Sequence, residues 1–367
     1  MIIESATLEG TSRYRDRFKD AAEGHFRSSQ QLVLSSLGIG TYLGNPDEET
    51  DNSYRDAVTR AVTLGVNVID TAANYRFQRS ERSIGVALRG LVAQGFERNE
   101  LVICTKGGYL PFDGPPPRDM RRYVEETFVD PGIAEFKDFA GGSHCMTPKY
   151  LQHQLAQSLT NMNLDSVDVY YVHNPESQLD AVPEDEFYAR LKAAVESLEE
   201  RRAEGKLKYY GVATWNGFRV DPGARGYHSL ARMVGIASEV AGETHGFRFI
   251  QLPLNLAMPE AITLRNQTVN GARLSTLEAA AALGVTAIAS ASILQGRVAQ
   301  GLPASLREPL GSLNTDAQMA IQFVRSAPGI TTALVGMSAT KHVDENLDLA
   351  RVEPLDAEQF GQLFSKA

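Results

Sequence analysis

The sequence predicts a single-domain (β/α)8 barrel, and three observations carry that expectation. Between residues 31 and 350, short apolar segments alternate eight times with longer segments of helical period, the order that builds a parallel sheet covered by helices. The first apolar segment runs into "GIGTYLG" (38–44), whose glycines lack the spacing of a dinucleotide-binding turn, which argues against a doubly wound sheet. No shift of composition marks a second domain.

The elements follow in order. "QLVLSSLGIG" (31–40) reads as the first strand and "SYRDAVTRAVTLG" (53–65) as its helix, with Ala57, Val58, Ala61, Val62 and Leu64 close to one face and Gly65 ending it. "VNVIDTA" precedes "SERSIGVALRGLVAQG", and "LVICTK" precedes, after a long interruption, "PKYLQHQLAQSLTNMN"; Ser80 and Pro148 stand at the two helix starts. "VDVYYVH" with "DEFYARLKAAVESLEERRAEG" and "YYGVAT" with "HSLARMVGIASEVAG" bring the count to five. "FRFIQLPLN" with "STLEAAAALG", "VTAIASASI" with "TDAQMAIQFVRS", and "ITTALVGM" with "KHVDENLDLA" complete it.

Two regions stand outside the repeat. Residues 1–30 form a polar extension anchored by Tyr14, Phe18 and Phe26, expected to cap the barrel bottom or to form an arm. Residues 107–147 interrupt the third unit of the 31–367 barrel; a loop of this length is functional or mobile. Its Pro-Gly content and Tyr109, Phe112, Tyr123 and Phe128 suggest a lid or an oligomer contact. The oligomeric state itself is left open.

The bulk numbers exclude several classes. A formal charge of -9 without a basic block gives no support for a nucleic-acid partner or an anionic membrane surface. No apolar run approaches the roughly 20 residues that cross a bilayer. Two cysteines, Cys104 and Cys145, are too few for a disulfide framework, and "MIIESATLEG" shows no secretory start, so a reduced, cytoplasmic protein is expected. His144 beside Cys145 is too small a set for a metal site, and none is expected.

In a barrel of this kind the chemistry sits at the C-terminal strand ends. Asp70, Lys106 and His173 fall at the ends of strands two, three and four, and Tyr75 on the second loop. A phenol titrates near about 10 and needs a neighbouring cation to act as an acid at neutral pH. Lys106 supplies that cation, Asp70 holds it charged, and His173 donates to a developing oxyanion. Singly, each has an ordinary structural reading, as a capping acid, a solvated lysine, a turn histidine or a rim tyrosine. Together, in successive units, they make a proton donor suited to reducing a carbonyl. The charged "RFQRSERS" that follows Tyr75 is expected to start the second helix and solvate its face.

"NVIDTAANY", "VICTKGG" and "VDVYYVHNPE" resemble the three signature regions of the aldo-keto reductase family, and "GIGTY", "GVATWNGF", "IQLPLN" and "LVGMSATKHVDENL" are similar to further segments of it, in family order over about residues 32–350. The resemblance implies a (β/α)8 barrel that binds NADPH in an extended conformation and reduces an aldehyde, ketone or sugar-like carbonyl, reversibly to alcohol oxidation. It carries the catalytic tetrad onto Asp70, Tyr75, Lys106 and His173. It puts Gly40, Thr41 and Tyr42 near the nicotinamide and substrate, and Asp70, Thr214, Gln251, Ser290, Ser292, Ile293 and Gln295 in contact with the cofactor. Gln251 would hold the carboxamide; Gly336, Met337, Ser338, His342, Glu345 and Asn346 would surround the adenosine and its 2'-phosphate.

The departures matter too. Ser290 stands where many members place an aromatic on the nicotinamide, so stacking falls to Trp215, to a lid aromatic, or to nothing. Ala213 and Thr214 replace a common Ser-Asn pair. His342 replaces a frequent arginine, and an imidazole is a weaker phosphate partner than a guanidinium. NADPH is still expected first, with NADH second. A nucleotide-binding, redox-sensing barrel with little turnover is the competing reading.

Overall fold

The computed structural model describes residues 4–311 and 313–364. Eight parallel strands close into a barrel in the order β7-β8-β1-β2-β3-β4-β5-β6: β1 (Leu37–Gly40), β2 (Val68–Asp70), β3 (Val102–Gly107), β4 (Val167–His173), β5 (Leu207–Ala213), β6 (Phe247–Pro253), β7 (Thr286–Ser290) and β8 (Ile330–Gly336). The covering helices are α1 (Glu48–Thr63), α2 (Arg79–Ala93), α3 (Pro148–Met162), α4 (Glu184–Ala203), α5 (Leu230–Ala241), α6 (Thr276–Ala282), α7 (Asp316–Ser326) and α8 (Thr340–Leu347). Among the described residues no helix is long and apolar enough to cross a membrane.

Successive strand residues point to opposite faces, and that period of two divides the core. Ile69, Ile103, Tyr170, Val172, Ile250 and Ala289 face outward into the helix layer. Val68, Cys104, Tyr171, Phe249, Ile288 and Leu334 fill the interior. Asp70, Lys106, His173, Gln251, Ser290 and Gly336 each lie two residues beyond one of these six, so the same parity directs them to the C-terminal mouth.

The segment read as one strand over 31–40 is two. Leu32–Ser35 pairs antiparallel with Phe26–Ser29, turning at Gln30 and Gln31, both left-handed. The chain then breaks at Ser36, whose N–H donates to His25 (2.6 Å), and only Leu37–Gly40 enters the barrel. Asn67 enforces the break: it accepts from the Ser35 N–H at 2.8 Å and donates to Val33. Leu32, Leu34 and Ala6 pack into the interior cluster from the N-terminal side. A helix, Leu8–Asp16, accompanies the hairpin.

Two helix starts differ from expectation. α1 begins five residues earlier than read, because Asp47 accepts from the Thr50 N–H and caps it. α2 begins at Arg79 without a side-chain cap, since the Ser80 hydroxyl is spent on the Thr41 carbonyl at 2.7 Å. Residues 107–147 fold into a helix (Met120–Val124) running into a π-turn, and a 3-10 turn at Phe136–Asp138. They carry a small core of their own: Leu110, Val124, Phe128, Ala134, Phe139 and Cys145 packed on Tyr150 of α3. A second hairpin, Gln267–Val269 with Ala272–Leu274, lies between β6 and α6.

Candidate active site

At the barrel mouth is a cavity of about 460 Å³. Beneath its wall lies Lys106, buried, its ammonium 2.6 Å from Asp70 Oδ2 and 2.8 Å from the Thr71 carbonyl it donates to. The other Asp70 oxygen accepts from Gln251 Nε2 at 2.8 Å. Burial raises the Asp70 carboxyl against the pull of Lys106 and Gln251; burial opposes the charge on Lys106, yet Asp70 and Tyr75 together raise it. The two shifts pull the shared proton opposite ways. With every contact short and charge-complementary, the ionised pair is the form the geometry stabilises.

The Lys106 ammonium stands 5.0 Å from the centroid of the Tyr75 ring. Burial raises the Tyr75 phenol and Lys106 lowers it; the net direction is upward. The phenol is thus stored protonated, with the cation in place to stabilise the phenolate it leaves. Tyr75 lies edge-on to Tyr42 (5.0 Å) and His173 (5.9 Å). Burial, Lys106 and His144 hold the His173 imidazole well below its usual range, so it is a neutral donor. Its Nδ1 is buried without a partner among the described residues.

The turn that presents Tyr75 is strained. Arg76, Phe77 and Gln78 are all left-handed, with φ of 49°, 56° and 68°, each costing roughly 1–2 kcal/mol in a residue with a Cβ. Arg76 holds the turn: it is buried, donates to the Asn45 carbonyl at 2.9 Å and pairs with Asp51 at 2.5 Å. Gln78, Ser80, Glu81 and Ser83 are buried as well. The expectation for this charged stretch holds in part: it starts α2 at Arg79, and Arg82 pairs with Asp113 at the surface. Arg76 and Glu81 depart from it, since they are inward ties, Arg76 to the β1 loop and Glu81 to Thr105 of β3 (2.6 Å).

Gly40, Thr41, Tyr42, Asp70, Tyr75, His173, Thr214, Gln251, Ser290, Ser292, Ile293, Gln295 and Gly336 all line the cavity. Lys106 lies beneath its wall. Met337, Ser338, His342, Glu345 and Asn346 are not on the wall; they continue from Gly336 along the β8–α8 turn and α8. Ser292 Oγ and Asn346 Oδ1 are buried without partners among the described residues. Ala291, Leu294 and Gln295 are left-handed, so the β7 loop is strained where it borders the cavity.

The structure adds Leu43, Asn74, Tyr109, Asn174, Trp215 and Leu294 to the wall. Tyr109 comes from the 107–147 segment, edge-on to His173 at 5.3 Å, its hydroxyl 2.9 Å from that of Ser177. Its position directly after Lys106-Gly-Gly was the available signal. Asp113 pairs with Arg82 on the surface, outside the cavity wall. Both His144 nitrogens are engaged, Nε2 with the His173 carbonyl (2.7 Å) and Nδ1 with Gln178 (2.8 Å).

A parallel eight-stranded barrel with this group at its mouth defines the class. The sequence profile of the aldo/keto reductase family matches residues 36–221, and the chain belongs to that family. It is 25% identical over 370 residues to L-glyceraldehyde 3-phosphate reductase of Escherichia coli O157:H7, covering 92% of this chain and 89% of that protein. To the NADH-specific methylglyoxal reductase of Escherichia coli K12 it is 26% identical over 187 residues, 50% of this chain and 49% of the relative; the chain thus spans about half the length of that relative. A Schizosaccharomyces pombe protein described as a putative voltage-gated potassium channel subunit beta is 23% identical over 340 residues, 88% of this chain and 86% of that one. An aldo/keto reductase of Klebsiella pneumoniae, solved with NADP and acetate, superposes with a TM-score of 0.61 at 20% identity, over 94% of this chain and 95% of that one.

Proposed function

We propose that this chain reduces a carbonyl compound (an aldehyde, a ketone or a sugar-like carbonyl) with NADPH as the first-choice reductant and NADH as the second, reversibly to alcohol oxidation. The observation that carries the reading is the convergence of Tyr75, Lys106, Asp70 and His173 from three strands on one cavity, with Lys106 in a 2.6 Å ion pair and 5.0 Å from the Tyr75 ring.

The residues fit a nicotinamide nucleotide. The buried, unpartnered Ser292 Oγ and Asn346 Oδ1 are open to a ligand. The open approach at Gly336, where an added Cβ would meet nothing nearer than Leu43 at 3.8 Å, leaves room on the cavity wall that also carries Ser292. Gln251, its amide nitrogen committed to Asp70, offers its carbonyl oxygen to a carboxamide. Ser338, Lys341 and His342 at the start of α8 offer a hydroxyl and two basic groups to a phosphate. When bound, the reduced nucleotide supplies hydride to the carbonyl carbon.

The chain's own groups then do the proton work. Neutral His173 orients the carbonyl oxygen by a hydrogen bond. Tyr75 gives its proton to that oxygen as charge develops on it, and Lys106, held by Asp70, stabilises the phenolate. Tyr75→Phe is expected to abolish carbonyl reduction over a panel of small aldehydes while nucleotide affinity stays within about tenfold. Retained turnover would overturn the proton-donor role.

A second reading has an observation behind it. Ser290, not an aromatic, lines the cavity, and a channel beta subunit is among the relatives. A barrel that binds nucleotide and reports redox state would show tight NADPH binding with no turnover on the same panel.

A further inference from the structure

Glu176 stands at the junction of three elements the reaction scheme does not use. It follows β4 in the turn Pro175–Asp180. One of its carboxylate oxygens accepts from two successive backbone N–H groups of the β5 loop, Trp215 at 2.7 Å and Asn216 at 2.9 Å. The other lies 3.5 Å from Nε2 of His228, which is fully buried. Among the described residues neither ring nitrogen of His228 has a hydrogen-bond partner, nor has that second oxygen. The contact is nonetheless attractive: burial raises the Glu176 carboxyl, but His228, the Asn216 N–H and Thr214 together pull it down to about 2.

His228 is itself fixed. Its ring stacks on Phe187 at 5.1 Å and 5°, and its backbone N–H donates to the Gly217 carbonyl at 2.7 Å. A Cβ on Gly217 would come within 2.1 Å of the His228 ring. The loop Thr214–Gly217 is thus gripped from two sides, by Glu176 and by His228. Thr214 and Trp215 of this loop both line the cavity, Trp215 42% exposed, on a wall that also holds Asn174 and His173.

We propose that Glu176 is a positioning residue: backed by His228, it fixes the β5 loop so that the Trp215 indole stands over the cavity where nucleotide and carbonyl meet. The functional part of this rests on the carbonyl-reductase reading; the structural part does not. A carboxylate oxygen receiving two adjacent N–H groups sets the direction of that peptide segment, and a side chain on it inherits the direction. With Ser290, two strands away at the end of β7, offering no ring, Trp215 is the indole the cavity has.

Trp215 is the sole tryptophan of the chain, so its fluorescence reads this loop without labelling. In Glu176→Ala, acrylamide quenching of Trp215 is expected to rise about twofold or more; KM for NADPH and for methylglyoxal as probe should rise about tenfold, with kcat changed less than about threefold. Glu176→Gln, which keeps an oxygen able to accept both N–H groups, should restore wild-type quenching and KM. Wild-type quenching in a folded Glu176→Ala variant, or a Glu176→Gln variant as impaired as the alanine, would overturn the proposal. Should Glu176→Ala fail to fold, Gly217→Ala pushes the same loop away from His228, and unchanged quenching and KM there would overturn it equally. An inactive wild type would sink the reductase reading alone, because the quenching comparison needs no turnover.

Discussion

The Asp70–Lys106 pair is the residue-scale feature on which both stability and the proposed chemistry turn. Both groups are buried, and a buried pair is costly to break from one side because an uncompensated charge is left behind. Lys106→Met is therefore expected to cost about 3–5 kcal/mol in urea unfolding and to abolish carbonyl reduction. Adding Asp70→Asn removes the stranded carboxylate and keeps an acceptor for Gln251, whose amide it now receives from. The double variant should regain most of the lost stability and none of the activity. A double variant no more stable than Lys106→Met would show that the cost lies in packing, not in charge. These side chains were legible in the sequence because they sit at strand ends in a period-two pattern, so their direction followed from their number. Arg76, Phe77 and Gln78 were not: no Gly or Asn announces a left-handed turn there, and only the tertiary ties of Arg76 to Asn45 and Asp51 hold that conformation.

Among the elements, β5 and β6 carry the least tolerant seam. Their register shifts between Tyr210 and Gly211, and a Cβ on Gly211 would lie 1.7 Å from the Phe249 carbonyl oxygen. That neighbour is backbone in the adjacent strand, so no side chain can yield. Gly211→Ala is expected to destabilise by about 3 kcal/mol, and to weaken nucleotide binding, since the ends of these two strands carry Thr214 and Gln251 to the cavity. Urea unfolding with an NADPH titration tests this; wild-type values in both would mean the seam moves freely. Element boundaries were read well where periodicity ran long, as in α3 and α4. They failed where a few polar atoms decide. Asn67 splits the segment 31–40 in two, and Asp47 lengthens α1. The hairpin at 267–274 had a local signal in its Asn270-Gly271 turn, both residues at positive φ, but its strands are three residues each and show no period.

At the scale of the whole molecule, two of the parts that lie outside the eight-fold repeat each have a buried histidine among their joints to the barrel. His25, beside the N-terminal hairpin, bonds Ser36 and the Gly65 carbonyl at 3.2 and 3.0 Å. His144, in the 107–147 segment, bonds His173 and Gln178. Burial lowers each to about 4 from an ordinary 6.5. Both must stay neutral to be buried, so the unfolded chain binds protons at a pH where the fold does not. The stability these joints confer is complete above about 6.5 and is lost as pH falls toward about 4, roughly 3 kcal/mol for each histidine over the full window. Asp70 and Glu81, both raised by burial, act in the opposite sense as pH falls, so the contrast is best drawn between variants. In His25→Gln the amide still donates to the Gly65 carbonyl but does not titrate. Between pH 7 and 5 the wild type should lose about 2 kcal/mol more in urea unfolding than this variant does. Parallel profiles would mean that His25 is already protonated in the folded state at pH 5, and that this joint adds no pH dependence to the stability of the fold.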